Sequence, residues 1–524
     1  MIGSPLCALV LLLLPQGTTP EIPDVWHLGL EEARALALRG NLDLRVAEEA
    51  VQQAHFRHLG SFGAFEWRFN GDLTYRDATR ETSSSFLSGG NLIESQTTSY
   101  NLRLQRPFET GATFDLSFLG SLETTNASIA DSDKQTSDEL ALQYTQPLLR
   151  GRGGDVVTAD KQQAAVRWEQ EVETWRGSRQ GILAQVDKAY WDLRAAVDAV
   201  EVRQSAVALG QALLERRRQE LNAGVGTELA VIESEAELAT RHEALLAAQN
   251  LRGQREDALK KLLLGGEDLQ RWHRSIAPAD GYPELDAMGS APPWRAALAI
   301  ALEARSELRR AQATVRLAEI DKARALSNEL SGLDLVLRAS SNAVDANFRR
   351  AFADTFDWEA PTYSAQLSYD VPLGNQSAKA EVQRTDSALR TAWVELEKVQ
   401  RDVVAEVRGA VRELEYRREA SGAADLSLEL ARRQLEQEEA RNREGLSTNY
   451  QVLEVQQRFV EALSTQRQSR AEWAKAWVEL KRSQGLIEPG TQVDAPPPPV
   501  EAPPPSAEDP VIEPAAGDSG GQGN

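Results

Sequence analysis

The chain has 524 residues, of which 41% are hydrophobic and 26% charged, an ordinary balance except that Gly and Pro are crowded into a few stretches. Lys plus Arg number 58 against 79 for Asp plus Glu, a net charge of −21, so a phosphate backbone would be repelled over most of the surface and nucleic acid is disfavoured as a partner. The only cysteine, Cys7, lies in the first apolar run, which leaves a mature chain without thiols for disulfides, Cys-based metal sites or nucleophilic catalysis.

From the N-terminus, Leu6 to Leu14 is an unbroken apolar stretch followed by Pro15, Gly17, Thr18 and Thr19. It is too short to cross a bilayer and has the length of a signal-peptide core, so residues 1–20 are expected to be a signal peptide, although no Lys or Arg precedes the run and no Ala-x-Ala site follows it. No later segment offers eighteen consecutive apolar residues; any membrane span must therefore be built of β-strands.

In residues 21–65, Leu28, Leu30, Ala33, Leu36, Ala37, Leu44, Ala47 and Val51 recur at helical spacing, with Asn41 between two helical pieces. The period then drops to two over residues 66–149. Trp67, Phe69, Leu73 and Tyr75 alternate with polar residues, as do Tyr100, Leu102 and Leu104, then Phe114, Leu116 and Phe118, then Leu140, Leu142 and Tyr144. Glu109-Thr110-Gly111 reads as a tight turn between the middle two. One face is apolar and the other polar, a pattern shared by soluble sandwiches and membrane barrels, which periodicity does not separate.

Residues 150–330 return to the helical period, as Ile182, Val186, Tyr190, Leu193, Val197 and Val200 show, and no Pro occurs between Pro147 and Pro278. A break at Leu221 to Thr227 makes the region a hairpin, and a helix from residue 160 to 222 would be about 95 Å long at 1.5 Å per residue. Small residues such as Ala189, Ala195, Ala196 and Ala199 suit close side-by-side packing of such helices.

Residues 331–373 and 374–488 repeat the same order of parts. Leu333, Leu335 and Leu337, then Tyr363, Ala365, Leu367, Tyr369 and Val371, alternate with polar residues; Pro372-Leu373-Gly374 ends the strands; a second long hairpin breaks at Asn442 to Thr448. Gly224 and Gly445, Thr227 and Thr448, and Glu233 and Glu454 each lie 221 residues apart, whereas Pro147 and Pro372 lie 225 apart, which puts extra length at the Gly151-Arg152-Gly153-Gly154 exit of the first copy. Strands and very long helices used twice imply a curved wall with open edges that several chains close together. Beyond Gly485 the chain is Pro-rich and acidic, and residues 489–524 are expected to be a disordered tail.

This order resembles the TolC-like outer-membrane efflux proteins from Trp26 to Glu488. The matching residues are the opening helix Leu28-Gly29-Leu30-Glu31-Glu32-Ala33-Arg34-Ala35-Leu36-Ala37, the junctions Tyr144-Thr145-Gln146-Pro147-Leu148-Leu149-Arg150-Gly151 and Tyr369-Asp370-Val371-Pro372-Leu373-Gly374, and the two Gly-centred turns. The resemblance implies an α+β membrane protein: a homotrimer with a 12-stranded outer-membrane β-barrel continuous with a long α-helical periplasmic barrel. It would serve as the passive exit duct of a tripartite efflux or type I secretion system, beside a periplasmic adaptor, an inner-membrane pump and outer-membrane lipid. No cofactor is implied. The first copy departs from the family in showing four alternating segments where two are usual. A long coiled-coil adhesin or scaffold is the alternative; it explains the helices but not strands placed alike before each hairpin.

The turns Gly224-Val225-Gly226-Thr227 and Gly445-Leu446-Ser447-Thr448 match the tips where the family docks its adaptor. Turn chemistry alone explains them too, with Gly ending one helix and Thr capping the next. Two acids three apart ring the closed aperture in the family, and the matching positions here are Gln451 and Glu454. Pro147, Gly151, Pro372 and Gly374 mark the strand-to-helix junctions. Other signals are weaker: His55 and His58 have no third metal ligand nearby, His27, His242 and His273 have no nucleophile motif, and Arg216 to Arg218 read as a solvated face. No convergent acid, base or metal groups support an enzyme.

Overall fold

The computed structural model describes residues 25–81, 92–126, 134–284, 289–444 and 446–487. The expected signal peptide with Cys7, the turn glycine Gly445 and the Pro-rich tail lie outside the described residues. In chain order the elements are β1 (Val25–Leu28), α1 (Leu30–Gly40), α2 (Leu42–Ser61), β2 (Arg68–Glu81), β3 (Leu92–Pro107), β4 (Thr113–Thr125), β5 (Lys134–Pro147), α3 (Gly154–Val157) and α4 (Ala159–Asn222). There follow α5 (Glu228–Leu263), β6 (Ser275–Pro278), α6 (Trp294–Ala304), α7 (Ser306–Glu329), β7 (Gly332–Asp345), α8 (Phe348–Phe356), β8 (Pro361–Asp370), α9 (Gln376–Arg443) and α10 (Asn449–Gln484).

Two compact units form. One takes the described parts of Met1–Arg45, Arg176–Ser306 and Gln400–Gln492; the other takes Val46–Trp175 and Glu307–Val399.

In the first unit the duplication is visible residue by residue. The returning helices α5 and α10 are both 36 residues long and start 221 residues apart. The short helices α1 and α6 have 11 residues each, and the alanines at matching places, Ala33 and Ala37, Ala297 and Ala301, are fully buried. Alanine there lets neighbouring helices approach closely. The residue after each short helix binds the end of a returning helix: Asn41 donates from Nδ2 to the Leu262 carbonyl at 3.0 Å, and Arg305 donates to the Ser483 carbonyl at 3.1 Å. A parallel pair, β1 with β6, adds Leu28 and Ile276 to the fully buried residues of the unit, which include Tyr190, Leu193, Leu259 and Leu263. The Tyr190 hydroxyl donates to the Leu28 carbonyl at 3.0 Å, and Asp280 accepts from the Leu30 backbone N–H at 2.6 Å, so a distant carboxylate satisfies one of the free donors that open α1. The sequence reading missed this two-stranded pair because four residues are too few to display a period.

The second unit is built on one antiparallel sheet in the order β2-β3-β4-β5-β7-β8. The register runs Leu73 to Tyr100 to Gly120 to Asp138 to Ala343, so the period-two patterns of all six strands are in phase. Leu73, Leu102, Phe118, Leu140, Leu337 and Leu367 fall on one face, and Asp72, Asn101, Ser117, Glu139, Arg338 and Gln366 on the other. The two outer strands, β2 and β8, are exposed along nearly their whole length, and each has one edge that pairs with no strand among the described residues. Twelve strands from three chains would need four per chain; six stand in this sheet. The four alternating segments of the first copy are all strands of this one sheet.

Helix α8 was not foreseen either. It places Phe348 against Tyr100, and Phe352 and Phe356 against Phe118, at ring distances of 5.5 to 6.1 Å on the apolar face. Asn347 caps it, accepting from the Arg349 N–H at 2.9 Å.

Candidate functional site

At the first hairpin turn, Gly224 takes a left-handed φ of 76° and the chain reverses. The N–H groups of Val225 and Gly226 both donate to the Glu220 carbonyl, at 3.0 and 2.9 Å, closing the end of α4. A Cβ on Gly226 would lie 2.8 Å from the Leu221 nitrogen, so this second glycine is required by space rather than by φ. Thr227 then caps α5, its hydroxyl accepting from the Ala230 N–H at 3.3 Å. The backbone is thus satisfied locally, and what the turn offers outward is apolar: Val225 is 81% exposed, with Leu229 and Ile232 exposed just behind it.

The second turn repeats this chemistry 221 residues on. The Leu446 N–H donates to the Arg441 carbonyl at 2.9 Å, the counterpart of Val225 to Glu220. Thr448 and Gln451 form a capping box: the Thr448 hydroxyl accepts from the Gln451 N–H at 3.3 Å, and the Gln451 side-chain oxygen accepts from the Thr448 N–H at 3.0 Å. Ser447 donates to Glu438, and Asn442 donates to the Ser447 carbonyl at 3.0 Å. Leu446 and Tyr450 stand 66% and 75% exposed. Of the two positions matched to an aperture, Gln451 is engaged in the cap, and Glu454 accepts from Arg458 at 2.5 Å one helical turn on. The pairing of Glu454 was not legible in advance, although a spacing of four on a helix was the available signal. Arg216 and Arg217 pair with Glu220, and Arg218 with Glu235 across the hairpin at 2.8 Å.

Farther along the helices of this unit lies a chain of charges that draws on both copies. Lys188 binds Glu479 at 2.5 Å, Glu479 binds Arg482 at 2.6 Å, Arg482 binds Glu406, and Glu406 binds Arg305 at 2.7 Å. Burial alone would raise the Glu479 carboxyl, but the hydrogen bonds and charges of Arg482 and Lys188 outweigh it and hold the group at about 2, below the ordinary 4.5. A carboxyl depressed in the folded state stabilises above its unfolded value, and that contribution fades as pH falls from 4.5 towards 2. The melting-temperature advantage of the native protein over Glu479→Gln is therefore expected to shrink across that window; an advantage that stays constant down to pH 2 would contradict the pairing.

The junctions are built from glycine and proline in both copies. Pro147 ends β5 opposite Asp334; Gly151, at φ 75°, donates from its N–H to the Ser327 hydroxyl at 3.1 Å. After Pro372, Gly374 and Asn375 both take positive φ, and the Asn375 amide donates to the Glu329 carbonyl at 2.8 Å. His55 and His58 pack their rings on Trp168 at 5.0 and 5.9 Å, and no group of three His, Cys, Asp or Glu suited to a metal occurs among the described residues.

Residues 297–486, which hold the second copy of strands and hairpin, match the family model of the outer membrane efflux protein. That match covers 190 of the 524 residues. No curated protein sequence matches the chain. Its fold is similar to that of the outer-membrane channel OprN, at 16% identity, covering 87% of this chain and 89% of that one with a TM-score of 0.64. The Campylobacter jejuni CmeC outer membrane channel gives 14%, 88%, 87% and 0.64, and the Vibrio cholerae outer membrane protein VceC 14%, 87%, 96% and 0.63. These likenesses, at 14 to 16% identity, are of fold.

Proposed function

We propose that three copies of the chain close the strand wall into a barrel in the outer membrane, and that the hairpins form a periplasmic tunnel through which substrates pass passively. The observation that carries this is the six-stranded sheet itself, apolar on one face, polar on the other and unpaired at both edges. In a bilayer an edge has no water to satisfy it, so β8 of one copy has to meet β2 of the next until the ring closes. The apolar face then contacts lipid and the polar face lines water. Transport energy comes from an inner-membrane pump, and a periplasmic adaptor joins pump to duct at the turns around Val225 and Leu446.

Planar-bilayer recording of the purified trimer tests the duct, with discrete conductance steps as the expected result. An inserted trimer without a pore would defeat it. The excess of acid over base favours cations in the bore. Glu454 is proposed to line the periplasmic aperture with Gln451 beside it, and there the charge of Glu454 is partly offset by Arg458. Glu454→Ala is expected to weaken block by a trivalent cation several-fold, and Arg458→Ala, which frees the carboxylate, to strengthen it. Unchanged block in both variants would remove Glu454 from the aperture.

A further inference from the structure

We infer that β3 and β4 are a hairpin inserted into the barrel wall, so that each protomer contributes six strands and the closed trimer has eighteen rather than twelve. The inference rests on the trimer proposed above.

Four of the six strands adjoin a helix. β2 is entered from α2 through a tight helical turn at Phe62–Phe65, β5 runs on to α3 and α4, β7 follows α7, and β8 leads into α9. Among the described residues β3 and β4 adjoin none. They are joined to each other by a tight turn in which the Phe108 N–H donates to the Ala112 carbonyl at 2.8 Å and Gly111 takes a φ of 91°.

The hairpin is part of the wall rather than an appendage beside it. β3 pairs with β2 from Arg68–Gln105 to Glu81–Leu92, and β4 pairs with β5 from Thr113–Thr145 to Thr124–Lys134. Its apolar residues, among them Leu102 and Leu116, lie on the same face as those of the neighbouring strands.

The turn is seated against the junction that leads from β5 into the helices. Glu109 binds Lys161 at 2.7 Å, and the same ammonium sits 4.4 Å from the centre of the Phe62 ring. Gly111 fits so closely that a Cβ there would run into the Gly151 carbonyl and come within 3.1 Å of the Val157 side chain. Val157 belongs to α3, which the second copy lacks: α4 starts twelve residues after Pro147, α9 only four after Pro372. The two departures of the first copy from the second, an additional strand pair and a longer junction, are therefore one insertion and the seat that holds it.

Barrel diameter grows roughly in proportion to strand number, so eighteen strands make a barrel about 1.5 times as wide as twelve, in the range of water-filled porins. The barrel is then not the step that limits cargo size, and the outer end of the duct takes bulkier solutes than a twelve-stranded wall admits.

Strand count per protomer is read directly by electron cryomicroscopy of the full-length trimer in lipid nanodiscs. Independently, single cysteines carrying a fluorophore, in a Cys7→Ser background, are placed at Leu102 and Leu116 on the apolar face and at Asn101 and Ser117 on the polar face. Brominated lipid is expected to quench the first pair several-fold more than the second, and aqueous iodide the reverse. Four wall strands per protomer, or no bromolipid quenching at Leu102 and Leu116, overturns the inference. A native mass other than three copies overturns the trimer instead, while the count per protomer still decides the insertion.

Discussion

Arg34→Ala will destabilise the unit holding α1 and the adjoining part of α4 by about 3–5 kcal/mol, the usual cost of stripping one partner from a buried ion pair. Arg34 grips Asp187 through two bonds, Nε to Oδ1 at 2.8 Å and Nη2 to Oδ2 at 2.5 Å, and the Asp187 side chain is 1% exposed. Burial pushes the Asp187 carboxyl above the ordinary aspartate range even with Arg34 pulling it down. Without the guanidinium, Asp187 must either remain an unpaired charge or take up a proton on folding. Glu31, which also binds Arg34, is largely exposed and gains solvent instead. Thermal unfolding followed by the helical circular-dichroism band measures the loss. The double variant Arg34→Ala, Asp187→Asn should recover part of it, because no buried charge is then left behind. A single variant that melts with the native protein would show the pair to be dispensable.

On the docking proposed for the turns, Val225→Asp combined with Leu446→Asp is expected to weaken adaptor capture while leaving conductance intact. Both side chains project into solvent, and the turns that carry them are held by backbone bonds and by the Thr227 and Thr448 caps. Folding is therefore spared, and a carboxylate set into an apolar contact carries the whole effect. Adaptor captured by the purified trimer should fall by about tenfold or more, equivalent to ~1.4 kcal/mol, with bilayer conductance unchanged. Thr227→Ala with Thr448→Ala is the companion variant; it loosens each helix start by about 1 kcal/mol and lowers stability rather than apolar contact. Native capture by the aspartate pair would take docking away from the turns.

What could be read in advance follows from how far each signal reaches along the chain. The turns were legible because Gly224, Thr227 and Thr448 act on residues within five positions, so spacing alone exposed them. The strand segments were legible because a two-sided environment writes itself into every second residue. Gln451 and Glu454 were located by matching to a family, and their partners were not foreseen: the capping box occupies Gln451, and Arg458 answers Glu454. Helix α8 escaped notice because nine residues with three phenylalanines carry little period, and its place is set by Tyr100 and Phe118 of other strands.

By itself the sequence determined the duplication, the order of strands and long hairpins, and the two-faced character of the wall, since all of these are local periods repeated at a constant spacing. Only the tertiary structure decided that the middle strands join the sheet, that the longer first junction is their seat, and that Arg34 with Asp187 and Arg305 with Glu406 hold the helices. Those contacts join residues from 52 positions apart, as in Lys161 with Glu109, to 153, as in Arg34 with Asp187. At such separations no period links the partners, and geometry alone brings the charges together.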